Sequence, residues 1–85
     1  MKKIMYAIKD TKAGFLSPMI DSNDMTAARN FEYACKNNDV MAFCPSDFEL
    51  YRLGEFDDES GKMIALDAPE FICNGIKFRK VEKDD

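Results

Sequence analysis

An α+β fold, a small antiparallel sheet of about four strands with one helix packed on one face, is the architecture this sequence predicts. Three observations carry it: two-residue alternation of apolar side chains near both ends of the chain, three- and four-residue apolar spacing between them, and turn-forming residues at the changes of period. The segment order reads ββαββ, with room for one extra C-terminal strand. At 85 residues the chain is expected to form a single domain, one that buries only about 60–65% of the surface its unfolded form exposes. So thin a core makes homodimerisation an expected way of burying more.

The first strand is "KIMYAIK", Lys3 to Lys9, with Ile4, Tyr6 and Ile8 on one side and Met5 and Ala7 on the other. Asp10 and Gly14 then form a turn, and "FLSPMI" returns as a second strand. Pro18 has no N–H for a ladder, so that strand belongs at an edge or carries a bulge. In "DSNDMTAARNFEYACKNND" the period changes. Ser22, Asn23 or Asp24 can cap a helix whose apolar face is Ala27, Ala28, Phe31, Ala34 and Cys35. Lys36 suits the negative end of the helix dipole, and Asn37 or Asn38 can end the helix in a left-handed conformation.

"DVMAFCPSDF" reads as a packed loop or a single helical turn. From Phe48 to Phe56 the strand period resumes, Tyr51 and Leu53 on one side and Phe48, Leu50 and Phe56 on the other, apolar on both faces as in a central strand. Its partner runs from Lys62 to Leu66 and breaks at Asp67 to Pro69. Asn74-Gly75 is a turn dipeptide, after which "IKFRKV" is either a short returning strand or an arm ordered by a partner, with 77–85 as a tail.

The acidic "DDESG" between the two long strands poses a choice between a metal loop and a hairpin turn. Calcium loops space their oxygen ligands at alternate positions over about twelve residues and end in a bidentate glutamate. Here the acids are contiguous and Lys62 follows at once, so Asp57 to Gly61 reads as a turn with Gly61 left-handed. Its acids Asp57, Asp58 and Glu59 are also candidate contacts for a basic protein partner.

Catalysis finds little support. There is no histidine and no Gly-rich phosphate loop, and no cysteine or serine stands in an evident pair with a base. The expectation is a non-enzyme without metal or cofactor. Cys35, Cys44 and Cys73 are widely spaced and odd in number, which reads as reduced thiols in a cytoplasm. No apolar run is long enough for a membrane span.

Charge is unevenly distributed along the chain. The net is −4, yet eight of the twelve basic residues lie in residues 1–12 and 77–85, leaving residues 13–76 with a net of −8. If the two ends met in space, an acidic protein would still show one basic face. Lys2, Lys3, Lys9 and Lys12 with Tyr6, and Lys77, Arg79 and Lys80 with Phe78, are therefore candidate contacts for single-stranded DNA, which binds to cations interleaved with aromatic rings. The plainer alternative turns Ile76 and Phe78 to the core and leaves the cations as ordinary surface.

Three motifs in order add a context. Tyr6, Ile8, Asp10, Lys12 and Ala13 open the chain; Asp24, Ala27, Arg29 and Phe31 follow in the helix; Leu50, Tyr51, Leu53, Gly54, Phe56 and Asp57 lead into the acidic turn. Over residues 4–72 the chain resembles the small nonstructural, fifth-reading-frame protein of gokushovirus-type microviruses. The resemblance implies a protein of a small circular single-stranded DNA phage, made in the host bacterial cytoplasm and absent from the capsid. It implies a role in single-stranded DNA synthesis or packaging, and no catalytic residues to carry over; viral replication or capsid proteins or a host protein are partners that the acidic middle of the chain would suit. The competing expectation is an acidic interaction module that binds such a protein without touching DNA.

Overall fold

A computed structural model describes residues 1–78. The predicted α+β class holds, but the elements are more numerous than ββαββ. They are β1 (Lys2–Asp10), β2 (Gly14–Phe15), β3 (Met19–Asp21), α1 (Asp24–Asn37), α2 (Asp39–Phe43), β4 (Phe48–Asp57) and β5 (Met63–Asn74), with 3-10 turns at Pro45–Asp47 and Gly75–Phe78. The antiparallel sheet has the order β2-β1-β4-β5, and β3 shares the outer edge of β1 with β2. The expected second strand is thus split in two, because Ser17 and Pro18 interrupt it at the edge where a missing N–H is tolerated.

Helix α1 starts where the sequence signals it. The Asn23 side chain accepts a bond from the Thr26 N–H at 2.9 Å, Asp24 occupies the first turn, and Lys36 pairs with Glu32 at 2.6 Å near the other end. Its end differs from the expectation: Asn38 is extended, and among the described residues only glycines have positive φ. Asn38 instead serves two helices, donating its N–H to Ala34 and accepting from the N–H groups of Val40 and Met41. A residue that must cap α2 needs the extended geometry of an N-cap.

The helix lies on one face of the sheet. Tyr6, Phe31 and Leu50 are the large side chains fully buried there, with Ala27, Cys35, Met41, Phe48 and Cys73 around them. Each large residue of this kind contributes about 1.5–3 kcal/mol by leaving water. Burial pushes the Cys35 thiol up to about 11, as expected of a core cysteine with little nucleophilic character.

Three irregularities set which side chains face where, and one of them is at Ile72, an extra residue of β5 between Phe71, opposite Tyr51, and Cys73, opposite Leu50. Met5 pairs with Gly54 but Tyr6 with Arg52, so Leu53 is an extra residue in β4. Beyond this bulge the side-chain parity inverts, and Phe56 shares a face with Tyr51 and not, as expected, with Leu50. In β5, Arg52 faces Glu70 while Gly54 faces Ala65, so the expected break near Pro69 is a wide bulge within one strand. The crossing is tight at Gly54, where a Cβ would stand 2.1 Å from the Ile64 carbonyl oxygen. Only glycine lets the two backbones approach so closely.

The acidic segment is the turn it was expected to be. Gly61 has φ 77°, its N–H reaches the Asp57 carbonyl at 2.8 Å, and the Asp57 N–H reaches Lys62 at 2.9 Å. The Asp57 carboxylate accepts from the Glu59 N–H at 3.0 Å, which holds its carboxyl below the usual range. No further strand follows β5 among the described residues. Gly75–Phe78 forms a 3-10 turn against α1, and Phe78 meets Phe31 edge-on at 5.9 Å.

Candidate nucleic-acid interface

Among the described residues, the face of the sheet turned away from α1 has no helix on it. Alternation along β1 sends Ala7 and Lys9 to this side, and the ladder places Tyr51 beside Ala7, Phe71 beside Tyr51, and Phe15 beside Lys9. Three rings therefore form a row across four strands. Phe15 and Tyr51 meet edge-on with centroids 5.4 Å apart, and Tyr51 and Phe71 meet likewise at 5.8 Å. Phe15 is 46% and Phe71 53% exposed, so the row opens to solvent at both ends.

A cation sits on the row. Lys9 Nζ lies 5.4 Å from the Phe15 centroid and 5.9 Å from that of Tyr51, within range of an attraction between charge and ring. The nearby acid Glu49 accepts the Tyr51 hydroxyl at 2.9 Å, which pushes that phenol up. A partly wet row of rings set edge to face, with a cation beside it, offers exposed ring surface to a planar base and a charge to a phosphate.

The expected candidates scatter around this surface. Tyr6 is the clear correction: it is fully buried, and its hydroxyl donates to Asp24 Oδ1 at 2.6 Å. Alternation with Ile4 and Ile8 outweighs the flanking lysines, so Tyr6 offers no face to a base. Arg52 Nη2 donates to the same oxygen at 2.6 Å. The Tyr6 hydroxyl first and Arg52 second hold the Asp24 carboxyl below its usual range, and burial raises the Tyr6 phenol.

Lys2 and Lys3 lie by the acidic turn, about 20 Å along β1 from Lys9. Lys2 is 3.7 Å from Glu55 and Lys3 is 3.9 Å from Asp58. The amino group of Met1 also reaches Asp58 at 2.7 Å and Glu59 at 3.5 Å. Two of the expected DNA contacts, Lys2 and Lys3, thus share one mixed-charge patch with the expected protein contacts Asp57, Asp58 and Glu59. Lys12 is exposed in the turn after β1. Lys77 is exposed beside the Phe78 ring on the helical side, and Phe78 itself is half-buried against Phe31. Arg79 and Lys80 lie outside the described residues, as does most of the expected 77–85 tail. The described cations of the two ends do not gather on a single face.

Residues 3–78 match the family described as Phage ORF5 protein. The chain belongs to that family. No curated protein and no solved structure matches it. The family match extends from β1 through the turn that carries Phe78, and so includes every residue of the aromatic row. Among the described residues no helix is long and apolar enough to cross a membrane, and no group of three His, Cys, Asp or Glu side chains is placed to hold a metal.

Phe15 and Phe71 are the residues of this candidate surface that sequence reasoning missed. The signal was present in part, since Tyr51 falls opposite Leu50 in a strand apolar on both faces. What alternation alone does not specify is which face the helix covers.

Proposed function

We propose that this phage protein is a non-enzymatic accessory factor of a gokushovirus-type phage, acting in the host cytoplasm in single-stranded DNA synthesis or packaging. It contacts the DNA through the open sheet face. The observation that carries the reading is the Phe15–Tyr51–Phe71 row with Lys9 above two of its rings. Base stacking on aromatic side chains is worth about 1–3 kcal/mol per base and tolerates any sequence, which suits a factor acting along a whole genome. A contact of this kind favours single strands, because duplex bases do not present their faces.

The acidic turn is less suited to docking a basic protein, because the chain's own amino group and Lys3 already face its carboxylates. The mixed charge leaves little net field to steer a partner.

Fluorescence anisotropy with a labelled single-stranded oligonucleotide and its duplex tests the proposal. Few lysines adjoin the row, so affinity should fall only about sevenfold between about 50 and 200 mM salt if two phosphates are neutralised. Phe15→Ala and Phe71→Ala should each weaken binding about 5- to 150-fold while leaving the circular dichroism spectrum intact. Absence of binding at the lower salt, equal affinity for duplex, or full affinity in both variants would overturn the assignment.

A further inference from the structure

Met63 to Phe71 has the composition of a core strand and the surroundings of a loop. All nine residues are exposed, yet seven of them are apolar and only Asp67 and Glu70 carry charge. Successive side chains of a strand point to opposite faces, so both faces of this arm stand in water. Among the described residues its outer edge is open as well, since β5 is last in the strand order. The arm makes the molecule long, 53 Å in its greatest dimension, with a radius of gyration of 14.0 Å against about 12 Å for a compact chain of this size. An apolar strand with a free edge is a template for another strand.

We infer that β5 pairs along this edge with β5 of a second copy, antiparallel about a two-fold axis, so that one sheet runs through both subunits. The charges of the arm select this occupant. Lys62 stands at its start, and Asp67 and Glu70 stand toward its end. An antiparallel pair brings each Lys62 to the acidic end of the other copy, twice over, whereas a parallel pair sets like charge on like. The wide bulge and Pro69, which lacks an N–H, stop the ladder beyond Leu66. That centres the pairing on Ala65, with Ile64 across from Leu66 of the partner subunit and Lys62 in diagonal reach of Glu70 of the partner subunit. The contact is self-complementary, so one interface covers both arms. It stands whether or not the open face binds DNA.

Sedimentation equilibrium from about 1 to 100 µM tests the pairing, since an interface of modest size gives a dissociation constant within that window. The wild-type chain should dimerise. Ile64→Lys and Lys62→Glu, both at exposed positions, should each weaken the dimer tenfold or more with unchanged circular dichroism. Adding Glu70→Lys to Lys62→Glu should restore it. A wild-type chain that stays monomeric throughout, a dimer indifferent to Ile64→Lys, or a charge swap without rescue would overturn the inference. A monomer that associates only when another phage or host protein is added would likewise assign the arm to a different partner.

Discussion

Tyr6 and Tyr51 sit in neighbouring strands of one sheet and lead opposite lives. Tyr6 faces α1, has no exposed surface, and ties its hydroxyl to Asp24. Tyr51 faces away from the helix, touches two other rings and a lysine, and gives its hydroxyl to Glu49. The same residue type is core on one face and part of an open aromatic row on the other. The covered face holds the fold together, and the open face is free to vary in what it touches.

Substitutions that separate the two faces should rank accordingly. Phe31→Ala on the covered side removes a fully buried ring and should cost about 3–5 kcal/mol in urea unfolding, a large share of the stability of so small a domain. Gly54→Ala, at the close crossing of β4 and β5, should cost about 2–4 kcal/mol, because the clash is with backbone that cannot swing aside. Loss of protection of the β5 amides in hydrogen exchange would locate that effect.

A smaller effect belongs to the bond that fastens the helix start to the covered face. Asp24→Asn should cost about 1 kcal/mol at neutral pH, since Asp24 is half-exposed and solvent weakens its bonds to Tyr6 and Arg52. The Asp24 carboxyl is depressed in the folded state. Its stabilisation is therefore present above the ordinary carboxyl range near pH 4 and is lost as acid protonates it in the fold. The stability gap between wild type and Asp24→Asn should close between about pH 5 and pH 2. A gap independent of pH would show that the charge contributes nothing. Phe71→Ala on the open face should cost least, below about 1 kcal/mol, because the ring is half in water already. An open-face loss as large as that of Phe31→Ala would erase the distinction between the faces.

Local rules made much of this molecule legible. The Asn23 cap, the Ala27–Phe31–Cys35 face and the Gly61 turn each depend on residues within a few positions of one another. Tyr6 was misread as a DNA contact because its flanking lysines were given more weight than its alternation with Ile4 and Ile8, which is what buries it. The bulges at Leu53 and before Glu70 escaped, because each is an agreement between two strands far apart in sequence. One extra residue was enough to turn Phe56 to the other face. The aromatic row was hidden for a related reason: Phe15, Tyr51 and Phe71 come from three segments, and only the sheet order makes them neighbours.

The interruption at Ser17 and Pro18 bears on how far assembly can go. It leaves the β1 side of the sheet edged by two scraps of two and three residues, while the β5 side offers one longer strand, regular from Met63 until its bulge. A sheet with two good edges invites end-to-end growth into fibres. With one good edge, the inferred joining of β5 to β5 would exhaust it and end the assembly at two.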